Sequence, residues 1–285
     1  MKFVLSLSAV AFSLCQFLAG IASAQPSVEA HPQVFPKVTI AGSELRTMKS
    51  QSTGRDYDLY IHFPSDYGQD KTKKYPVLYI LDGQWDFKLV DSVLGGLVYD
   101  KFVPEMILVG IGYSGENANY GALRDRDYTP TTALWIKGSG EGPKFLKFLT
   151  TELIPFIEAN YRADSSRRIL QGSSLGGLFT LYAMLTEPGF FSAYIAASPA
   201  VSYDNDSTFK QEAEYARAHK ELPVRLFLAV SGEEELSGSV QRFMKTLRSR
   251  DYKNLRLETR VIEGERHASN KPEVYNRGLR FAFSQ

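Results

Sequence analysis

"LQGSSLGGLF" occupies residues 170–179 and sets two adjacent serines among three glycines. "RRILQG" (167–172) reads as a short strand running into it, and "GGLFTLYAMLTEP" (176–188) as a helix leaving it and stopping near Pro188. A serine at such a strand–helix turn stands above the sheet at the amino end of a helix. The crowded backbone there admits only glycine or another small residue two positions before and two after the nucleophile, the G-x-S-x-G pattern. Ser174 has Gly172 and Gly176 at those positions, whereas Ser173 would have Gln171 and Leu175. Ser174 is therefore the candidate nucleophile and Ser173 a packing neighbour. The competing reading, a glycine-rich turn without chemistry, does not need the flanking strand and helix.

The elements around the turn set the fold class. "RDYDLYIHFP" (55–64) alternates polar and apolar residues like a half-buried strand. "KKYPVLYILDG" (73–83) and "PEMILVGIGY" (104–113) hold continuous apolar runs suited to strands buried on both faces. Between them "WDFKLVDSVLGGLVYD" (85–100) has helical spacing, weakened by Gly95 and Gly96. In "GPKFLKFLTTELIPFIEANYR" (142–162) Phe145, Phe148, Leu149, Leu153, Phe156 and Ile157 form one stripe. Strands follow at 191–199, 224–232 and 255–264, and helices at 238–252 and 272–283. This alternation predicts an α/β fold with a mainly parallel central sheet and helices on both faces. Residues 114–142 show no clear element and read as a long loop, the kind that forms a binding or lid surface.

The first residues stand apart. "MKFVLSLSAVAFSLCQFLAGIASAQP" has a lysine, an apolar run and "ASA" before Gln25, the anatomy of a secretory signal peptide over 1–24. Residues 25–36, with three prolines, read as a tail or an extended leading strand, and 37–285 as the folded domain. Localisation is then secreted, or periplasmic in a Gram-negative source. The one cysteine, Cys15, falls in the leader, so the mature chain would have no disulfide framework. A net charge of +1 gives no electrostatic case for nucleic acid or an anionic membrane surface, and no later segment is apolar enough to span a bilayer. The histidines are too scattered for a zinc site, and neither a phosphate-loop nor a dinucleotide fingerprint occurs, so no metal or cofactor is expected.

A serine hydroxyl needs a base, usually a histidine held by a carboxylate. Of His31, His62, His219 and His267, the last lies in "EGERHASNKP", after the final strand and before the final helix, and so completes the order serine, acid, histidine. The acid stays open: Glu233, Glu234 and Glu235 follow the strand "LFLAVSG", and Asp204 and Asp206 follow the preceding one. Like charges side by side repel, so only one of the three glutamates can face the imidazole. The developing oxyanion needs two backbone N–H donors, for which Leu175 and, in "ILDGQWDF" (80–87), Gln84 are the candidates.

"YILDGQWDF", "LVGIGY", "RDRDYTPT", "GSSLGGLFTLYAML", "FSAYIAASPA" and "GERH" together resemble the esterase family of α/β-hydrolases that includes enterochelin and related siderophore esterases, S-formylglutathione hydrolase, feruloyl esterases and mycolyltransferases. The likeness covers roughly residues 40–283 and is nearest to the siderophore-esterase branch. It implies Ser174 as nucleophile, His267 as base, and Gln84 and Leu175 as oxyanion donors. It places the acid three residues after the glycine that ends the strand, which is Glu235. For substrate, a small-molecule ester, Trp85, Arg124, Arg126 and Tyr128 are candidates to hold a flat anionic group by stacking and charge. Against this, "RDRDYT" can pair its arginines with carboxylates and merely anchor the loop. The leading expectation is a serine carboxylic-ester hydrolase working through an acyl-enzyme. An acyltransferase of the same fold and a catalytically silent binding module are its competitors. Nothing in the sequence speaks to oligomeric state.

Overall fold

In the computed structural model, which describes residues 37–284, eight strands form one sheet in the order β1-β2-β4-β3-β5-β6-β7-β8. The strands are β1 (Ser43–Lys49), β2 (Asp56–His62), β3 (Tyr75–Ile80), β4 (Ile107–Tyr113), β5 (Ala163–Ser173), β6 (Ala193–Ala197), β7 (Arg225–Ser231) and β8 (Arg256–Ile262). β2 runs antiparallel to β1 and β4, and all the other pairings are parallel. β3 and β4 are buried along their whole length, as continuous apolar runs require in a sheet covered on both faces. β2 alternates, burying Tyr57, Leu59 and Ile61. The leader at 1–24, with Cys15, and the tail at 25–36 lie outside the described residues. The compact unit is Ile40–Gln285, and of the preceding unit only 37–39 are described.

The helices are α1 (Gly83–Tyr99), α2 (Tyr120–Asp127), α3 (Gly142–Phe148), α4 (Ile154–Asn160), α5 (Leu175–Thr186), α6 (Tyr203–Ala218), α7 (Ser237–Arg250) and α8 (Lys271–Phe283). They cover both faces. Phe87, Val90 and Leu94 of α1 pack with Val274, Tyr275 and Leu279 of α8 on one side. Phe145, Phe148, Phe179 and Phe243 pack on the other. This is the mainly parallel α/β arrangement expected from the alternation of elements, and the α/β-hydrolase fold that the resemblance implies.

Three local departures have physical causes. The stripe over 142–162 is a continuous helical run, but a five-residue π segment, Leu149–Leu153, separates α3 from α4 just before Pro155. Proline has no N–H to donate and its ring crowds the carbonyl four residues back, so the turn widens. The stretch 114–142 is not all loop, because α2 lies inside it, capped by Asn119 Oδ1 accepting from Ala122 N at 3.1 Å. Finally β1, an edge strand that is mostly exposed, has no apolar alternation by which to be read.

β3 is where the chain switches from building the sheet on one side to building on the other, since its neighbours are β4 and β5. In open α/β sheets such a point opens a crevice at the carboxyl ends of the strands. The chain leaves β3 into Gln84 at the start of α1 and β5 into Ser174 before α5, side by side there.

Candidate active site

Ser174 takes φ 60° and ψ −120°, a conformation that non-glycine residues rarely adopt. The turn is pinned by Ser174 N donating to Ala197 O (2.9 Å) and by Leu178 N and Ala200 N donating to Ser174 O (2.9 and 3.2 Å). Glycine is required at 172: a Cβ there would stand 2.4 Å from Gly176 O and 2.5 Å from Gly176 C. The forward position is less crowded than the motif suggests, since a Cβ on Gly176 would meet its nearest neighbour, Asp82 Oδ2, at 3.4 Å. Ser173 is buried beneath the turn and Ser174 is half-buried at its tip.

Ser174 shares a cleft of about 470 Å³ with His267, Arg266 and the three glutamates Glu233, Glu234 and Glu235. His267 Nδ1 lies 2.5 Å from Glu234 Oε2. A carboxylate only accepts, so Nδ1 carries the hydrogen and Nε2 keeps a lone pair for a proton. The carboxylate beside His267 is therefore Glu234 and not Glu235, which corrects the register implied by the resemblance. Glu233 and Glu235 are exposed at the cleft, Glu233 lying 3.9 Å from Arg266, while the Glu234 side chain is only 4% exposed. The tight turn after β7 folds the second glutamate back, so that Ser231 N donates to Glu234 Oε1 at 2.7 Å. Asp204 accepts from Thr131 Oγ1, and Asp206 lies 3.6 Å from Arg242, so neither carboxylate is with His267.

Gln84 and Leu175 sit in the first turns of α1 and α5, where backbone N–H groups have no intrahelical acceptor. Gly112 of β4 leaves room for Gln84: a Cβ there would stand 3.1 Å from Gln84 Oε1. Two further contacts tie α1 to the helix that follows His267. Lys271 Nζ lies 2.8 Å from Asp86 Oδ1, and Tyr275 OH donates to Asp86 Oδ2.

The candidate substrate residues fare unequally. Trp85 is 46% exposed beside Gln84, edge-on to Tyr120 at 5.8 Å. Tyr128 is completely buried, and its hydroxyl accepts from Asp82 N at 3.0 Å, so it cannot touch a ligand. Arg124 is occupied by Asp82 through two hydrogen bonds, and Arg126 by Glu141 at 3.0 Å. Burial pushes the Asp82 carboxyl up, and Arg124 opposes that shift. The "RDRDYT" segment thus anchors α2 to the domain. Among the described residues no cluster of three or more His, Cys, Asp or Glu could hold a metal.

A second recess, about 770 Å³, lies between β2 and α1, where His62 Nδ1 is 2.9 Å from Asp91 Oδ1. Its serine, Ser65, is bonded to Glu105 and sits on no strained turn. The residues that sequence reasoning missed are Asp82, Ser198, Ser231 and Asn270. Asp82 and Ser198 lie inside two of the stretches that carry the resemblance, but those stretches do not report their partners, and the contacts that matter span up to 72 positions.

A strained serine at the carboxyl end of a parallel sheet, sharing a cleft with a carboxylate-held histidine, defines a serine hydrolase of the α/β-hydrolase class. Residues 50–270 match the family described as "Putative esterase", and the chain belongs to it as a serine esterase. Among curated relatives, the ferri-bacillibactin esterase BesA of Bacillus subtilis is 30% identical over 266 residues, covering 86% of this chain and 90% of that one. The crystal structure of the BES protein from Bacillus cereus superposes with a TM-score of 0.78 at 28% identity, over 88% of this chain and 98% of that one. An IroE-like serine hydrolase from Shewanella oneidensis gives 0.75 at 26% identity, over 84% and 79%.

Proposed function

We propose that Ser174 is the nucleophile, His267 the base and Glu234 the orienting acid of an ester hydrolase that acts on siderophore or aryl esters. The observation that carries the reading is the shared cleft of Ser174 and His267, with His267 held by the buried Glu234. In the first half-reaction Ser174 Oγ bonds to the acyl carbon while its proton passes to His267 Nε2. The oxyanion is received by Leu175 N–H and Gln84 N–H. The alcohol leaves with the proton from His267, and water repeats the sequence on the acyl-enzyme.

The substrate class is supported by the names of the relatives, which include siderophore esterases from Bacillus and Aspergillus. It is also supported by the exposed rings of Trp85 and Trp135, which offer faces for an aryl group. The leader at 1–24 supports an exported protein that meets its ester outside the cytoplasm.

The test is hydrolysis of p-nitrophenyl butyrate, and labelling by a fluorophosphonate, for the protein beside Ser174→Ala. Activity and labelling are expected in the first and absent in the second, with the fold retained. Hydrolysis that persists in Ser174→Ala would overturn the serine mechanism. A panel of ferric trilactone siderophores and feruloyl esters then ranks the substrates.

A further inference from the structure

Asn270 occupies the N-cap position of α8, where an asparagine side chain ordinarily accepts from the first free N–H groups of the helix. Here it makes no such cap. The side chain is completely buried and turned inward, with Nδ2 2.8 Å from Ser198 Oγ and 2.6 Å from Ser231 Oγ. Its Oδ1 has no protein partner. A buried amide with one end unmatched costs stability, so packing and capping give no reason to keep it.

Proton counting gives one. Ser198 Oγ contacts Glu234 Oε1, and a carboxylate has no hydrogen to give, so the Ser198 proton points at Glu234. Ser231 Oγ contacts the Arg266 carbonyl at 2.9 Å, so the Ser231 proton points there. Each hydroxyl has spent its single proton, and the atom of Asn270 that touches both must be a donor, which fixes the amide orientation. Every hydrogen then has one direction. Asn270 orients Ser198 toward Glu234, and Glu234 holds His267. Asn270 also orients Ser231 toward the carbonyl of Arg266, the residue before His267.

We infer that Asn270 is a positioning residue that sets the acid and the histidine loop together, acting on Glu234 through Ser198. The inference rests on the reading of Ser174, His267 and Glu234 as the esterase machinery. Asn270→Asp keeps the shape of the side chain and removes its donor. Both serine protons then turn toward position 270, and Glu234 loses a partner.

The experiment is a double-mutant cycle on p-nitrophenyl butyrate hydrolysis by the full-length protein. Asn270→Asp is expected to lower kcat on the order of 100-fold, the effect of a small misplacement at a reacting centre, with KM unchanged. In the Glu234→Ala background the same substitution should change kcat by no more than about tenfold, because the route through Ser198 to the acid is gone and only the Ser231–Arg266 contact is left to disturb. Ser198→Ala should follow the same pattern, and it carries the cycle alone if Asn270→Asp does not fold. Equal losses with and without Glu234, or wild-type kcat in both single variants, would overturn the inference. Persisting activity in Ser174→Ala would instead overturn the esterase reading on which it stands.

Discussion

Arg124 reaches Asp82 with both arms of its guanidinium, Nε to Oδ1 at 3.0 Å and Nη2 to Oδ2 at 2.9 Å, in the loop that touches the elbow. The Asp82 side chain is 2% exposed and takes a left-handed backbone conformation, φ 55°. Removing the arginine strands a buried carboxylate, which costs about 3–5 kcal/mol. Arg124→Ala should therefore lower the urea midpoint by that equivalent and reduce kcat, because the Gln84 loop loses its anchor. Arg124→Lys restores charge without the two-armed geometry and should fall between. An Arg124→Ala protein of full stability whose only defect is a raised KM would mean that the arginine holds substrate instead.

The "GEEE" run makes a sharp comparison possible. Glu234→Gln keeps the shape but ends the acceptance of the Nδ1 hydrogen, and amide replacement of such an acid costs up to about 10⁴ in kcat. Glu235→Gln changes an exposed side chain and should leave kcat intact, with stability within about 0.5 kcal/mol. Steady-state kinetics of the two variants side by side decide between them. A larger loss in Glu235→Gln would return the acid to the register that family likeness implies.

That register shows where sequence reading stops. The strand–turn–helix around Ser174 is legible because sterics demand glycine at 172, and β3 and β4 because burial on both faces demands unbroken apolar runs. The choice among three glutamates depends on how one turn after β7 folds back on Ser231 N, and adjacent identical residues cannot report that. α2 is hidden because only Tyr120 and Leu123 pack against the apolar core, while the ion pairs of Arg124 with Asp82 and Asp127 with Arg55 hold the rest, which leaves no apolar period. The Asn270–Ser198 contact joins residues 72 apart through one amide hydrogen, a level at which sequence carries no pattern.

The strain at Ser174 separates function from stability. Ser174→Gly and Ser174→Ala both remove the hydroxyl, and both should be inactive. Only glycine adopts φ 60° and ψ −120° without strain, and such backbone strain is worth 1–3 kcal/mol, offset in part by the entropy of glycine in the unfolded chain. Ser174→Gly should therefore be about 1 kcal/mol more stable than Ser174→Ala in urea unfolding. Equal midpoints would show that the strain at the elbow is no larger than the entropy of glycine that offsets it.

Trp85, the exposed ring next to Gln84, is set edge-on to Tyr120 and 5.7 Å from the Arg124 guanidinium. If it stacks on an aryl acyl group, the contact is worth about 0.5–1.5 kcal/mol. Trp85→Ala should then raise KM for a feruloyl ester about three- to tenfold while leaving p-nitrophenyl acetate nearly unaffected. Equal changes for the two esters would mark the ring as a structural prop of the loop.

Glu141 ties two distant arginines to the start of α3, accepting from Arg55 Nη1 at 2.7 Å and Arg126 Nη2 at 3.0 Å. Burial alone would push its carboxyl up, but the two guanidinium groups bring it down from the ordinary 4.5 to about 2. A carboxyl depressed in the folded state contributes stability above its unfolded pKa and loses it as pH falls toward the folded value. The contribution is therefore present above about pH 4.5 and disappears on the way to about pH 2. Glu141→Gln removes it at neutral pH, so the stability difference between wild type and variant should be largest near neutrality and shrink through that window. Urea midpoints of the pair at about pH 7 and about pH 3 measure it, and a gap that stays constant would show that the guanidinium groups do not hold Glu141 ionised.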